Sequence, residues 1–255
     1  MNHFLYNSNS IVNTYLSFSK IFKPELYIFH KLRSNLPNMR VLDIGVGGGR
    51  TTQFLAPLCK EYTGIDYSPK MVHACRKRFK NLKGNINFEI CNVLSLDLFK
   101  NDSFDLIFFS FNGLDTLPHK DRLQALKEIY RVCAPGGFYI FSSNNLEQRL
   151  EAPNISSIVA NPKAFFHTLV KYCLLKIAIS KTNASETRSH VEIRDGSHGL
   201  RLKIYYISPE EQFSQLSATG FLAPKVFSLN TGKEITLGDI EQGISDKWLY
   251  YLCSK

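Results

Sequence analysis

The stretch VLDIGVGGGR, residues 41–50, passes from an apolar run into four glycines within five positions. Asp43 stands inside the run, and Gly45, Gly47 and Gly49 alternate behind it. Glycine accepts positive φ and has no Cβ, so a turn of this kind lets a ligand lie against bare main chain. Three readings compete: a tight structural turn, a phosphate cradle for a dinucleotide, and a seat for a small molecule with a cationic end facing Asp43.

Outward from this turn the chain alternates between short apolar runs and helical stretches. MRVLDIG reads as a buried strand and GRTTQFLAPLCK as a helix, with EYTGID a second strand. SPKMVHACRKRFKN opens with Ser68 as N-cap and Pro69 at the first helical position. NINFEICNV is a third strand. FDLIFFSF is a fourth, apolar on both faces as a central parallel strand should be. HKDRLQALKEIYRVCA is a helix, expected to end at Pro135, Gly136 and Gly137, and FYIFSSNN is a fifth strand. Strand–helix units in this order predict a parallel sheet covered on both faces, with ligands beyond the carboxyl ends of its strands.

After Asn145 the rhythm breaks. Residues 146–207 predict a helix, NPKAFFHTLVKYCLLKIAISK, and then a hairpin across VEIRDGSHGLRLKIYYI. Ser208-Pro209-Glu210-Glu211 opens a helix that Gly220 closes, and two further strands follow near APKVFSL and KWLYYLCSK. The expected fold is therefore α/β: a Rossmann-like, doubly wound, mostly parallel seven-stranded sheet with helices on both faces and an α+β insertion after the fifth strand. The expected organisation is a single domain over 1–255. Residues 1–37 form a helical flap, 38–145 and 208–255 the binding core, and 146–207 a lid over the substrate side.

Composition narrows the class. Of the 255 residues, 44% are hydrophobic and 21% charged, ordinary values for a globular chain. A formal net charge of +9 favours acidic partners: a phosphorylated or carboxylated small molecule, nucleic acid, or an anionic membrane face. The six cysteines lie far apart without CxxC or Cys/His ligand spacing, which predicts a reducing, cytoplasmic setting and no metal. No secretory leader and no membrane-spanning run is read from the sequence. The broad apolar surface of AFFHTLVKYCLLKIAIS predicts core packing or a homodimer through the lid, with membrane attachment as its rival.

The acidic residues decide between the three readings of the turn. A dinucleotide fingerprint needs glycine at the sixth position, where Arg50 stands, and has no use for Asp43. Asp66 closes the second strand 21 positions after Gly45, where a carboxylate can accept both hydroxyls of a ribose. S-adenosylmethionine (SAM) fits both acids, because it carries a ribose, an amine and a sulfonium but no phosphate.

Four blocks together resemble the class I SAM-dependent methyltransferases, over roughly residues 38–145 and 205–255. They are VLDIGVGGGR, GIDYSPKM, FDLIFFSFNGLD and LKEIYRVCAPGGFYIFS, in the family's order and spacing. The resemblance implies that Gly45, Gly47 and Gly49 shape the cofactor turn, with Asp43 near the methionine amine and Asp66 on the ribose. It implies that Tyr67 and Met71 pack on the adenine, and that backbone at Ser110 and Phe111 lies beside the methionine. Where the family commonly has aspartate accepting from the adenine amine, this chain has Asn92, a neutral and weaker acceptor or else a turn residue, with the Val93 N–H beside it. The implied product is S-adenosylhomocysteine (SAH), and no metal is expected.

On the acceptor side, Asn112 and Asp115 follow the fourth strand, and Asn144 and Asn145 end the fifth. Asn112, Asp115 and Asn145 are the candidates for positioning the methyl acceptor. Asn112 and Asp115 are equally readable as caps of the next helix. His119, His190 and His198 read more readily as surface residues. Arg194, Arg201 and Lys203 would bring charge to an acidic acceptor or guard an edge strand, and Tyr6 and Tyr15 would close over the cofactor. Displacement at an activated methyl group needs alignment more than a triad, so the lack of one does not exclude an enzyme. The expected activity is methyl transfer to an oxygen or nitrogen of a small metabolite, with acidic metabolites among the candidates. RNA methylation and a non-catalytic SAM sensor are the alternatives.

Overall fold

The computed structural model describes residues 7–147, 161–182, 189–195, 202–236, 238–239 and 245–255. Five parallel strands carry the glycine turn: β1 (Arg40–Ile44), β2 (Glu61–Asp66), β3 (Ile86–Ile90), β4 (Phe104–Phe109) and β5 (Cys133–Asn144). A separate antiparallel pair follows, β6 (His190–Ile193) with β7 (Ile204–Ile207). The main sheet is completed by β8 (Leu222–Ser228), β9 (Glu234–Ile235) and β10 (Trp248–Ser254). Its order is β3-β2-β1-β4-β5-β10-β8-β9, with β10 antiparallel to both β5 and β8. The expected seven strands are present, and the two-residue β9 extends the edge to eight.

Alternation along the strands supplies two cores. Leu42, Ile44 and Ile107 face one side of the sheet, Val41, Leu106 and Phe108 the other. The first side is covered by α5 (His119–Val132) and α7 (Pro209–Thr219) through Leu126, Ile129 and Leu216. The second is covered by α2 (Lys23–Lys31) and α4 (Pro69–Arg78) through Ile28, Phe29, Val72 and Cys75. Helix α1 (Asn9–Ser17) lies over α4 and the glycine turn: Lys70 Nζ donates to Asn9 Oδ1 at 2.8 Å, and Arg78 donates to the carbonyls of Leu16 and Gly48. The insertion contributes α6 (Pro162–Thr182) as well as β6 and β7.

Local chemistry sets the element ends. Ser68 Oγ accepts from Met71 N and Ser208 Oγ from Glu211 N, each with proline at the first turn. Gly220, at φ 111°, closes α7 in a left-handed conformation.

Two expectations are corrected. The helix after the glycine turn is a single turn, α3 (Thr52–Leu55), because Pro57 lacks the N–H that a longer helix would need there. Helix α5 stops at Val132, before the Pro-Gly-Gly. Cys133 already pairs with Phe104, so Pro135, Gly136 and Gly137 fall inside β5, at a register shift. The predicted DGSHG turn lies largely outside the described residues.

Candidate cofactor and acceptor site

The carboxyl ends of β1 to β4 open into one cleft. Each strand end contributes to it: Gly45 and Gly47 after β1, Asp66 and Tyr67 at β2, Asn92 and Val93 after β3, Ser110 and Phe111 after β4. Met71 from α4 and Tyr15 from α1 add to the lining.

The turn is built as its glycines require. Gly45, Gly47 and Gly49 all have positive φ, at 64°, 54° and 77°. A Cβ on Gly47 would stand 3.2 Å from the Tyr15 ring, within the cleft. Gly49 serves a different purpose: a Cβ there would stand 2.2 Å from the Phe79 ring, so it permits packing of α4 and does not line the cleft.

Asp66 is 7% exposed, and both of its oxygens are held by main chain: Oδ2 accepts from Gly47 N at 3.0 Å and Oδ1 from Ser68 N at 2.8 Å. Burial raises its pKa, and the two N–H groups oppose that rise. A carboxylate offers about four lone-pair sites, so two remain for a ligand diol. Asp43 is deeper, 2% exposed. It accepts from the hydroxyls of Thr51 and Tyr62, the latter at 2.6 Å. Burial pushes its pKa up to about 6, against those two hydrogen bonds and the nearby Arg50. It borders a smaller recess beside the main cleft, shared with Gly45, Gly47, Arg50 and Ser110.

Arg50, read from sequence only as the residue that breaks a dinucleotide fingerprint, organises this end of the site. Its guanidinium forks onto Glu25 at 2.6 and 2.7 Å and donates to Ser110 Oγ at 2.6 Å. Glu25 also accepts from Tyr250 OH at 2.8 Å and from Phe22 N at 2.8 Å, closing a capping box on α2. Because α3 is only one turn long, positive charge here comes from Arg50 rather than from a helix end. Asn92 lines the cleft while its Oδ1 accepts from Leu94 N at 3.1 Å in a local turn; the second lone pair of that oxygen stays available.

The acceptor-side candidates separate. Asn112 follows the cleft residue Phe111 but does not line the cleft itself, and its Nδ2 donates to Asn144 Oδ1 at 3.1 Å. Asp115 is instead 1% exposed, ion-paired to the fully buried Arg122 at 2.5 Å, and accepts from Ser143 Oγ, Asn144 N and Asn144 Nδ2. It holds β5 against the turn after β4 and offers no oxygen to the cleft. Asn145 has 0% exposure and bonds to Lys247 O, Asp246 O and Glu147 N, which tie β5 to the segment entering β10. For both, a short polar side chain at a strand end is satisfied by protein.

His119 and His190 stack at 4.3 Å and 5°, and His119 Nδ1 lies 2.7 Å from Tyr205 OH. This joins the insertion to the start of α5. Arg194 and Lys203 are exposed. Tyr6, His198 and Arg201 lie outside the described residues. Among the described residues no cluster suited to a metal is present, and no helix is long and apolar enough to cross a membrane.

Comparison with known proteins agrees with this geometry. Residues 41–137 match the model of a methyltransferase domain family. The ubiquinone/menaquinone biosynthesis C-methyltransferase of Geotalea daltonii is 36% identical over 40% of this chain and 43% of its own length. The demethylmenaquinone methyltransferase of Tropheryma whipplei is 31% identical over 54% and 51%. The chain thus spans about half the length of these curated relatives. Among solved structures, a SAM-dependent methyltransferase of Thermotoga maritima, described as a possible histamine N-methyltransferase, superposes with a TM-score of 0.59 at 19% identity and full coverage of both chains. The 1,6-didemethyltoxoflavin-N1-methyltransferase of Burkholderia thailandensis, bound to SAH, gives 0.55 at 15% over 91% of this chain and 76% of its own. The glycine turn, the acid closing β2 and the sheet order agree with the methyltransferase domain family matched over residues 41–137, and the fold is that of SAM-dependent methyltransferases of known structure.

Proposed function

We infer that the protein transfers a methyl group from SAM to a small-molecule acceptor held beyond the ends of β4 and β5. The observation that carries this is Asp66, fixed by Gly47 and Ser68 with two lone pairs left over, in a cleft lined by the ends of four parallel strands. Asp66 holds the ribose hydroxyls, Asn92 and the Val93 N–H meet the adenine, and Tyr67 and Met71 pack against its ring. Asp43 provides the negative field for the cofactor's amine. Bound SAM supplies an electrophilic methyl on a sulfonium, and the chain's part is to align the acceptor and exclude water.

The insertion 146–207 acts as a lid. In support, the hairpin reaches the end of β5 through Leu146 N to Ile207 O at 3.0 Å and Asn144 Nδ2 to Tyr205 O at 3.3 Å. An oxygen or nitrogen acceptor is the reading from sequence. The names of the relatives add carbon, since they include C-methyltransferases. Incubation with methyl-labelled SAM and fractionated small metabolites is expected to give a labelled product and SAH. Label entering bulk tRNA alone, or no transfer to any pool, would refute it.

A further inference from the structure

The insertion carries one long helix, α6, whose two sides meet different surroundings. Its 21 residues, PKAFFHTLVKYCLLKIAISKT, are apolar around most of the helix. A helix of that kind has to be covered on both sides. The protein itself covers one: Phe165 is buried, and α6 packs along β6. The other side faces outward. Phe166 is 59% exposed, Val170 is 43% exposed, and Cys173 is exposed as well. These three recur at i, i+4 and i+7, so they form one stripe, and Ile177 continues it a turn later at 51% exposure. A contiguous exposed row of large apolar side chains marks an interaction surface.

Charge selects the partner. Residues 152–185 contain no aspartate or glutamate, while α6 holds Lys163, Lys171, Lys176 and Lys181. On the helical wheel the exposed Lys163 and Lys176 fall on opposite sides of the stripe. Lys176 Nζ lies over the Tyr172 ring at 5.0 Å, a pairing of two side chains that each join an apolar body to a polar tip.

A second copy of the chain would cover the stripe but set lysine against lysine, with no acid in the helix to answer them. A nucleic acid would answer the lysines and leave Phe166 and Val170 in water. An anionic bilayer surface answers both, because its headgroups take the lysines and its acyl boundary takes the apolar row. The helix suits lying on a bilayer and not crossing it. Lysines interrupt it at intervals of five to eight residues, and no described helix is long and apolar enough to span.

We propose that α6 is a membrane-docking helix whose outward face lies in the headgroup layer of an anionic phospholipid bilayer. Phe166 and Val170 insert, and Lys163 and Lys176 sit at the phosphates. Docking of this kind needs neither cofactor nor methyl acceptor, and with a single helix it is reversible.

The test is flotation of the full chain with two kinds of vesicle: phosphatidylcholine alone, and phosphatidylcholine mixed with phosphatidylglycerol. Binding to the mixed vesicles is expected to be at least tenfold tighter and to weaken with added salt. Lys163→Gln with Lys176→Gln should weaken it by about 10- to 30-fold. Phe166→Ser with Val170→Ser should weaken it at least tenfold. All four positions are exposed, so neither pair should move the melting temperature. Cys173 is the one exposed cysteine of the six and supplies a readout that needs no variant. An environment-sensitive fluorophore attached there should shift to the blue on the mixed vesicles and stay unchanged with phosphatidylcholine alone. Equal binding to both vesicles, no vesicle binding, or an unshifted fluorophore in vesicle-bound protein would overturn the proposal. So would a dimer that Phe166→Ser with Val170→Ser dissociates, or lysine-dependent binding of bulk tRNA without binding of vesicles.

Discussion

Asp43 makes the folded protein and its cofactor affinity respond to pH in opposite ways. Burial raises its pKa from 3.8 to about 6, so the folded chain holds this proton more tightly than the unfolded chain does. The stability it contributes is complete below pH 3.8 and is lost as pH rises through 6. The span between 3.8 and about 6, at ~1.4 kcal/mol per unit, is worth about 3 kcal/mol. At ~2–4 °C per kcal/mol for a chain of this size, that is about 6–12 °C in Tm. Asp43→Asn removes the titration and keeps the shape. Its melting temperature relative to the unaltered protein should therefore climb by that amount between pH 4 and pH 7. In the proposed placement the cofactor's amine lies beside Asp43 and reverses the sign, because it favours the ionised acid. SAH affinity should fall about tenfold per unit below pH 6 in the unaltered protein and stay flatter in Asp43→Asn. Melting by differential scanning fluorimetry and calorimetric titration at each pH read both effects. Parallel melting curves for the two proteins, or SAH affinity that rises on acidification, would refute the reasoning.

Two further outcomes follow from buried charge. Glu25→Gln leaves the Arg50 guanidinium without its counter-charge where Glu25 is 0% and Arg50 7% exposed. Loss of one partner of such a pair costs on the order of 3 kcal/mol, read as a Tm lowered by about 6–12 °C with faster hydrogen exchange in α2. His190 has its pKa lowered by burial and then by His119, with Glu211 and Glu192 opposing and Arg122 reinforcing. Its contribution is thus present above pH 6.5 and lost as pH falls. Protection factors across β6 and β7 should drop between pH 7.5 and 5.5, and His190→Gln should remove that dependence.

The part of this architecture with local causes was legible in the amino acids. Strand alternation, the Ser-Pro helix starts and the glycine turn with an acid one strand later are patterns within a few residues, and they placed the parallel strands and the starts of α4 and α7. What escaped depends on distant partners. Asp115 and Asn145 are polar residues at strand ends, as a ligand-binding residue would be. Only the fold reveals that Arg122 and the segment before β10 already satisfy them. Glu25, Arg50 and Tyr250 meet across 225 positions of chain, and no spacing rule announces that. Trp248 meets Phe111 only because β10 lies beside β5. The short α3 was foreseeable from Pro57, a signal in plain view that the apolar run around it obscured.

The most direct measurement is calorimetric titration of SAH into the unaltered protein and into Asp66→Ala. Asp66→Asn serves as a milder variant that keeps one carbonyl oxygen for the turn. Two hydrogen bonds from ribose hydroxyls to a charged acceptor, at ~1.5–3 kcal/mol each, predict one site whose affinity falls by about 10²- to 10⁴-fold in Asp66→Ala. A smaller loss is expected in Asp66→Asn. Saturable binding of NADH in place of SAH, or SAH affinity unchanged in a folded Asp66→Ala protein, would contradict the account.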